Sequence, residues 1–530
     1  MDQPDILKNL KNPGFYGSDV KSVNILQTHI SFVALTGKYA YKVKKPVNFG
    51  FLDFSTLEKR KYFCDEELKL NRRLCPDIYL EVLPITRKDS KLELNGDGEI
   101  VDYALKMREF SQEEIMTNLI KQGKIHEETI EEICDILVDF YNSGMHSNEI
   151  DNYGKPEAVK QNISENFEQT QSVVDVTIPK DVYAYIKDVS NKFFEEKKAV
   201  FEKRIKGKHI HDCHGDLHSG NIVVSDDNTY IFDCIEFNKR FRYCDVASDI
   251  GFLAMDLDYL NHPYLSSYLI DKYVEKNHDK DIFDVLNFYK SYRAYVRGKV
   301  LGFRLSDKNI PEEERKNTIE TAEKYFDLSQ YYASLFFLDL KNKKPLLFIV
   351  SGLSGTGKST ISLKISVDYH AHYVNTDIIR KELAGIDKFE KHHDEINTGL
   401  YSPEKIDYTY EKVMEKAEYL LKKGENVVLD ATFQKKSYRD MARKIAEENN
   451  AISVLIQCTC PENIVKKWLE ERQSKKTVSD GRWEIYLNQK ETFESFTPKE
   501  KHIKIDISEG SYDARMESFR KILATIDEGK

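Results

Sequence analysis

The chain has 530 residues, 40% of them hydrophobic, so it is long enough for about three compact units with substantial cores. A formal net charge of −10 does not favour a protein that binds nucleic acid through its bulk charge. No apolar run approaches the roughly 20 residues of a membrane span, and the N-terminus lacks the layout of a signal peptide. We therefore expect a cytoplasmic protein with no membrane partner, and eight dispersed cysteines without a CxxC pair favour reduced thiols.

The first 110 residues are predicted to be rich in β-strands. Residues 23–26 and 31–35 predict a hairpin, and residues 39–44 predict a third strand. Alternation along this strand places Lys42 and Lys44 on one face. A lysine at such a position pairs with nucleotide phosphates in protein kinases. We choose Lys42 as the nucleotide-binding residue, with Lys44 as the alternative.

A helix is predicted between residues 55 and 75, and it carries two adjacent acids. Glu67, or alternatively Glu66, is placed to form the ion pair that orients the strand lysine. A solvated acidic face is the other interpretation of this pair. Strands are then predicted at 82–85 and 101–107, and mostly helices thereafter, including 127–141 and 181–206.

Residues 210–221 have the spacing of a kinase catalytic loop. Such a loop requires a base for the substrate hydroxyl, a metal ligand five residues later and a metal-binding aspartate after a short hairpin. Asp216, Asn221 and Asp233 occupy these three positions. Five His and Cys side chains between residues 209 and 218 also allow a zinc site, although their irregular spacing fits no standard ligand pattern.

The segment His-Gly-Asp-Leu-His-x-x-Asn at residues 214–221 resembles the catalytic loop of the aminoglycoside phosphotransferase family. The resemblance implies Asp216 as catalytic base, Asn221 and Asp233 as Mg²⁺ ligands, and ATP as phosphate donor. It also implies a bilobal protein-kinase-like (α+β) domain over residues 1–340, with an N-lobe at 1–110 and a C-lobe at 111–340.

The predicted phosphate loop at residues 27–31 departs from this family because it contains no glycines. Main-chain N–H groups with the Thr28 and Ser31 hydroxyls would then cover the phosphates. If they do not, the domain is a weak or inactive kinase.

Four charged residues further along allow structural as well as functional interpretations. Asp245 and Asp249, four residues apart, resemble an Asp-x-x-x-Asp segment of the same family and are interpreted as carboxylates that brace the loop. Arg293 and Arg297 share a helical face, which either binds an anionic substrate or forms ordinary ion pairs.

A second motif begins where the apolar strand 346–351 runs into a glycine loop and a helix. This is a P-loop: its glycines turn N–H groups toward a triphosphate, its lysine reaches the terminal phosphates and its serine hydroxyl holds Mg²⁺. The predicted nucleotide-binding residues are Gly352, Ser354, Gly355, Thr356, Gly357, Lys358, Ser359 and Thr360, with Ser359 also a metal ligand.

Strands and helices alternate beyond the P-loop, which predicts a parallel sheet of about five strands with helices on both faces. Ligands bind at the carboxyl ends of such strands. There, Asp377 would accept a proton from a hydroxyl and Arg380 would clamp a neighbouring anionic group. Asp430 would orient Mg²⁺ or its water. Arg472, or alternatively Arg482, would place a guanidinium from a lid on the transferring phosphate.

In this order, the four features resemble the P-loop kinases related to polynucleotide kinase and zeta-type toxins, over residues 345–530. The domain order resembles a bacterial class of fused aminoglycoside phosphotransferase and ATP-binding proteins. The resemblance implies a bifunctional ATP-dependent phosphotransferase acting on hydroxyl groups of small molecules, or on a nucleic-acid or nucleotide hydroxyl at the C-terminal domain. The alternative is a nucleotide-sensing pseudokinase that regulates the C-terminal kinase.

Overall fold

The computed structural model describes residues 3–89, 91–144, 146–225, 228–305, 310–337, 344–390, 398–472, 478–508 and 512–529. The chain forms two compact units. The first comprises Met1–Gln169, Asn191–Asp256 and Lys272–Arg293, and the second comprises Thr170–Ser190, Leu257–Asp271 and Ala294–Lys530. The second unit thus includes segments that lie N-terminal to the P-loop. The domain limits 1–340 and 345–530 stay a prediction. The polar, proline-ended segment 341–345 is predicted as the linker between the two domains, and its residues 341–343 lie outside the described residues.

The first unit contains an antiparallel sheet of six strands in the order β1-β2-β3-β6-β4-β5. Strand β3 pairs with β2 on one side and β6 on the other, so both of its backbone edges are hydrogen-bonded within the sheet. The six strands are β1 Asn24–Gln27, β2 Ser31–Leu35, β3 Tyr39–Lys44, β4 Tyr79–Lys88, β5 Lys91–Leu94 and β6 Glu99–Arg108.

Two short antiparallel strand pairs follow in the same unit, and one strand of each flanks the predicted catalytic loop. Strand β7 (Ile210–Asp212) pairs antiparallel with β10 (Tyr243–Asp245). Strand β8 (Ile222–Val224) pairs antiparallel with β9 (Thr229–Ile231). The loop with Asp216 therefore runs between two anchored strands.

Helices make up most of the chain between residue 110 and the P-loop, as predicted. The segment 181–206, however, is not one helix, because Lys197 leaves helical geometry and separates two helices. The helices are α1 Gln3–Leu10, α2 Leu57–Asn71, α3 Met116–Lys121, α4 Glu127–Ser143, α5 Asn148–Asp151, α6 Pro156–Thr170, α7 Lys180–Glu196, α8 Lys198–Lys206, α9 Lys239–Arg242, α10 Val246–Tyr259, α11 Pro263–Asn277, α12 Leu286–Arg304 and α13 Glu312–Ser334.

The second unit contains a parallel five-stranded sheet in the order β12-β13-β11-β14-β15, which confirms the predicted architecture. Strand β11 is fully buried and pairs with β13 and β14. The chain leaves β11 where the strand order reverses, the position at which open α/β sheets bind ligands. The strands are β11 Leu346–Ser351, β12 Ala371–Asn375, β13 Asn426–Asp430, β14 Ile452–Thr459 and β15 Ile503–Asp506.

Two helices of the second unit were absent from the sequence prediction, Trp483–Thr492 and Tyr512–Glu528. None of the helices in the described ranges is long and apolar enough to cross a membrane. The helices are α14 Lys358–Asp368, α15 Thr376–Ala384, α16 Pro403–Lys422, α17 Lys436–Glu448, α18 Glu462–Arg472, α19 Trp483–Thr492 and α20 Tyr512–Glu528.

Candidate functional site

The ammonium group of Lys42, on strand β3, joins two carboxylates. Its Nζ donates to Glu67 Oε1 and to Asp233 Oδ1, each over 2.7 Å. Glu67, on helix α2, is fully buried, whereas 43% of the Asp233 side chain is exposed. Burial alone would lower the pKa of Lys42, but Asp233 and Glu67 outweigh it and hold that pKa well above its usual value. Lys42 is therefore positively charged, and it links strand β3 to helix α2 and to the predicted metal ligand Asp233.

Lys44 has a different pair of partners. Its Nζ donates to Glu67 Oε2 over 2.6 Å and to Glu236. Only 1% of its side chain is exposed, so protein encloses it, while Lys42 contacts the partly exposed Asp233. Glu236 was not predicted from the sequence. A second buried lysine on the same strand face as Lys42 nevertheless needs a carboxylate partner to offset the cost of burying its charge. Burial would raise the pKa of Glu67, but the two lysines lower it to about 2.

The predicted catalytic base lies beside the first predicted metal ligand. Asn221 Nδ2 donates to the main-chain oxygen of Asp216 over 3.0 Å and to its Oδ2 over 3.2 Å. His218 Nε2 lies 3.5 Å from the same Oδ2, and its Nδ1 accepts from the N–H of Gly220. Because Nδ1 accepts, Nε2 is the ring nitrogen of His218 that can donate toward Asp216. This network orients a carboxylate whose side chain is 38% exposed.

Helix α10 holds this loop from behind. Asp249 Oδ1 accepts from the N–H of Gly215, and its Oδ2 accepts from the N–H of His214, both over 2.9 Å. Two turns later, Asp256 Oδ2 accepts from the N–H of Ser219 over 2.9 Å. Because carboxylates satisfy loop N–H groups at both ends, the loop is fixed independently of any ligand. The bracing role proposed for Asp249 agrees with these contacts.

Arg293 braces the same loop rather than forming an exposed anion site. It is 5% exposed, and its Nη1 donates to the main-chain oxygen of Gly215 over 2.7 Å. Its Nε donates to Ser248 Oγ over 3.0 Å. Asp245 instead accepts a bidentate pair of bonds from the buried Arg204, over 2.8 and 2.7 Å. Arg297 places its guanidinium carbon 5.6 Å from the ring centre of Tyr325.

The glycine-free turn at residues 27–31 uses its own polar groups internally. Thr28 Oγ1 accepts from the N–H of Ser31 over 2.9 Å and from the N–H of Ile30 over 3.3 Å. Ser31 is fully buried, and Lys45 Nζ donates to the main-chain oxygen of Thr28 over 2.6 Å. In this conformation the Thr28 hydroxyl shapes the turn, and the Ser31 hydroxyl is buried rather than facing a phosphate.

The zinc interpretation finds no support in the described part of the chain. No group of three or more His, Cys, Asp or Glu side chains there is placed to hold a metal ion. His214 instead bonds through Nε2 to the main-chain oxygen of Phe232 over 2.9 Å, and burial lowers its pKa. Its neutral ring serves as a structural link.

Three glycines of the P-loop have backbone geometry that L side chains rarely adopt. Gly352, Gly355 and Gly357 have φ of +153°, +79° and +80°. A Cβ on Gly357 would lie 1.7 Å from Ile507 Cδ1, so a side chain there would strain the backbone and displace the Ile507 side chain. The Thr356 hydroxyl donates to the main-chain oxygen of Leu353 over 2.8 Å and braces the loop from inside.

The predicted metal ligands of the P-loop unit are in direct contact. Ser359 Oγ donates to Asp430 Oδ2 over 2.7 Å. The same oxygen accepts from Tyr373 OH over 2.7 Å and from Asn375 Nδ2 over 2.8 Å. Burial and Asp430 raise the pKa of Tyr373, so the phenol stays a donor. Tyr373 and Asn375 were not predicted as site residues. Both lie on strand β12, which pairs with the strand that ends at Asp430.

Asp377 and Arg380 lie at the start of helix α15, one turn apart. Arg380 Nη1 donates to Asp377 Oδ1 over 2.5 Å, and Arg380 is 8% exposed. Asn375 Oδ1 caps this helix by accepting from the N–H of Asp377 over 2.8 Å. The side chain of Arg472 lies outside the described residues. Arg482 lies just before helix α19, with its Nε 3.8 Å from Glu484.

One cavity brings the P-loop and the predicted acceptor residues together. Its walls include Lys358, Ser359, Asp377, Arg380 and Asp430. Hydroxyl and carboxylate oxygens of Ser359 and Asp430 are ligands that suit Mg²⁺. In the first unit, the Asp233 carboxylate and the Asn221 amide oxygen have the same hard-oxygen chemistry. Both donor sets therefore fit magnesium.

Comparison with known proteins supports the P-loop assignment. Residues 347–495 match a family model described as an AAA domain. An uncharacterized protein of Mycobacterium tuberculosis (strain ATCC 25618 / H37Rv) is 28% identical over 448 residues, covering 84% of this chain and 86% of that protein.

Two solved structures similar to parts of the chain are described as kinases. A choline kinase of Cryptosporidium parvum aligns with 62% of this chain, and the alignment covers 95% of the choline kinase. The sequence identity is 11% and the TM-score is 0.38. A gluconokinase of Sinorhizobium meliloti covers 35% of this chain and 94% of its own, with 20% identity and a TM-score of 0.25.

The fused arrangement predicted from the two motifs is confirmed. The first unit has the antiparallel sheet, the lysine–glutamate pair and the catalytic loop of the protein-kinase-like fold. The second unit has the P-loop on a parallel sheet. The catalytic and binding roles of the residues in both units stay a prediction.

Proposed function

We propose that the chain is a cytoplasmic bifunctional phosphotransferase, in which each unit transfers the γ-phosphate of ATP to an alcohol. The observation that carries this proposal is that each unit holds a carboxylate beside a set of residues suited to magnesium and a triphosphate. In the first unit the carboxylate is Asp216, bonded to Asn221. In the second it is Asp377, in one cavity with Lys358 and Ser359.

In the first unit, Lys42 would hold the phosphates while Glu67 fixes the lysine from behind. Asp216 would orient the acceptor hydroxyl and take its proton as the oxygen attacks the γ-phosphorus. Asn221 and Asp233 would hold Mg²⁺. We propose a small-molecule alcohol as the acceptor here.

In the second unit, the P-loop N–H groups and Lys358 would cradle the triphosphate, and Ser359 with Asp430 would hold Mg²⁺. Asp377 would accept the proton of the acceptor hydroxyl. Arg380, bonded to Asp377 on one side, would contact the acceptor on the other. We propose a small molecule, or a nucleic-acid or nucleotide hydroxyl, as acceptor. In both sites, bound Mg²⁺ would neutralise the phosphate charge that develops during transfer.

The decisive experiment uses the full chain and two variants, Asp216→Asn and Asp377→Asn, with γ-labelled ATP and a fractionated metabolite extract. We expect each variant to lose a different set of labelled products. If both variants label every product at the parent's rate, neither carboxylate has the proposed role. A 5′-hydroxyl oligonucleotide, added separately, tests the nucleic-acid acceptor; its labelling should be lost only in Asp377→Asn.

A second candidate function has one observation in its favour. The turn at residues 27–31 bonds to itself through Thr28, so the first unit would bind nucleotide without transferring phosphate and would regulate the second. In that case Asp216→Asn would change no labelled product, while Lys42→Met would weaken nucleotide binding and alter the rate of the second site. Measuring both variants in one assay separates the two functions.

A further inference from the structure

Asp480 is a buried carboxylate beside the P-loop cavity, outside the residues to which the sequence assigned a function. It lines the cavity together with Ser479 and Gly481. Only 1% of its side chain is exposed. Burying a carboxylate is costly unless it is paired and hydrogen-bonded, so its partners define its role.

Those partners come from two separate elements. Tyr401 OH donates to Asp480 Oδ2 over 2.9 Å, and Lys381 Nζ lies 3.3 Å from Oδ1. Lys381 Nζ also donates to the main-chain oxygen of Val478 over 2.8 Å. Three contacts therefore attach residues 478–480 to helix α15 and to Tyr401. Gly481 follows directly, and a Cβ on it would lie 3.2 Å from Ser354 Cβ of the P-loop.

Tyr401 transmits this attachment to Arg380. The guanidinium carbon of Arg380 lies 4.6 Å from the centre of the Tyr401 ring, a cation–π contact. Burial raises the pKa of the Tyr401 phenol, so its hydroxyl remains a donor to Asp480. The guanidinium is thus fixed from two sides, by the ring and by Asp377.

The Arg380 guanidinium has more hydrogen-bond donors than the described residues satisfy. Within the described part of the chain, Arg380 Nε is buried and has no hydrogen-bond acceptor. A buried guanidinium donor without an acceptor is costly, and the cavity beside it is where the acceptor alcohol would enter. An anionic oxygen in this cavity would pair with the positive charge of the Arg380 guanidinium, because Arg380 lines the cavity wall.

From this geometry we infer that Asp480 is a positioning residue of the P-loop site: through Tyr401 and Lys381 it holds Arg380 ready for an acceptor that carries an anionic group. The inference rests on the proposed function of this site, and it adds the residue that positions the arginine predicted to clamp an anionic group. Asp480 itself need not touch the substrate.

The test uses the full chain saturated with Mg²⁺ and a non-hydrolysable ATP analogue, and titrates inorganic phosphate as the anionic probe. The fraction of phosphate binding lost in Arg380→Ala defines the subsite and separates it from binding elsewhere. Asp480→Asn keeps an acceptor for the Tyr401 hydroxyl, so we expect phosphate affinity to fall about threefold. Asp480→Ala loses both partners, and we expect a fall of about tenfold.

Glu500→Gln is the matched control, because Glu500 forms an equally buried ion pair with Arg439 elsewhere in the same unit. We expect it to lower stability but to leave phosphate affinity at the parent's value. The inference fails if Asp480→Ala binds phosphate like the parent, if its affinities for phosphate and analogue fall together, or if Arg380→Ala loses no phosphate binding. Failure of the parent to bind the analogue would instead overturn the proposed function of the P-loop site.

Discussion

The Ser359 hydroxyl donates a 2.7 Å hydrogen bond to the Asp430 carboxylate, which joins the P-loop helix to the end of strand β13. The bond exists because β13 pairs directly with β11, the strand that leads into the P-loop. Tyr373 and Asn375, from the next strand, donate to the same carboxylate oxygen. Three neighbouring strand ends therefore fix the position of the predicted metal ligand Asp430 before any ligand arrives.

Replacement of Gly357 should abolish nucleotide binding at the P-loop. Gly357→Ala places a side chain at φ +80°, which costs about 1–2 kcal/mol, and drives its Cβ into Ile507. Gly424→Ala is the control, because it has the same φ but no atom within 4 Å of the added Cβ. Calorimetric titration with ATP should show one binding site lost in the first variant and none lost in the second. Two intact sites in Gly357→Ala would contradict the close approach.

The two strand lysines should respond differently to replacement. Lys42→Met leaves Glu67 bonded to Lys44, so we expect the fold to persist and ATP affinity of the first site to fall at least about tenfold. Lys44→Met leaves Glu236 buried without its cation, which should lower the free energy of unfolding by about 3–5 kcal/mol. Denaturant unfolding and ATP titration of both variants check this. Equal effects of the two replacements on ATP affinity would favour Lys44 as an additional phosphate ligand.

Removal of the first predicted base should affect catalysis and not binding. Asp216→Asn keeps the size of the side chain and its contact with Asn221, but it cannot take the proton of an acceptor. We expect the labelling rate of first-site products to fall by about 10²–10⁴-fold while the Kd for ATP changes less than about twofold. Single-turnover labelling and equilibrium binding measure the two quantities. A parallel loss of ATP affinity would indicate a structural role instead.

Acidification should weaken the second unit through Glu500. Burial would raise the pKa of Glu500, but hydrogen bonds from Arg439 and Thr497 lower it to about 2, against an ordinary value of 4.5. Because the folded pKa is depressed, this stabilisation is complete above about pH 4.5 and is lost as the pH falls toward 2. We expect a loss of about 2 kcal/mol, absent in Glu500→Gln.

Hydrogen exchange of helix α17, which carries Arg439, measures this loss in the parent and in Glu500→Gln between pH 6 and pH 3. The exchange-derived stabilities of the two proteins should converge as the pH falls. A constant difference across the range would show that Glu500 does not titrate in this window.

The sequence predicted those parts of the two sites that depend on local spacing. Asp216 and Asn221 share one loop, and Asp377 and Arg380 share one helical turn, so their neighbours follow from the chain itself. Strand β3 was predicted with its observed bounds. Alternation, however, gives Lys42 and Lys44 the same face and does not say which one reaches Asp233.

Contacts between residues that lie far apart in the sequence could not be predicted from it. Glu236 meets Lys44 across 192 residues, and Asp480 meets Tyr401 across 79. Each pair forms because the fold buries two charged or polar groups at one place, which no local pattern records. The break at Lys197 within the predicted helix 181–206 was likewise not predictable, because no proline or glycine lies there.

Helix α10 imposes a strict length requirement on the first site. Asp249 and Asp256 are seven residues apart, about two turns, and both hold the same loop. Inserting or deleting one residue between them would rotate the second carboxylate by about 100° around the helix axis, away from Ser219. We therefore expect divergent homologues of this protein to show no insertion or deletion between these two positions of the helix.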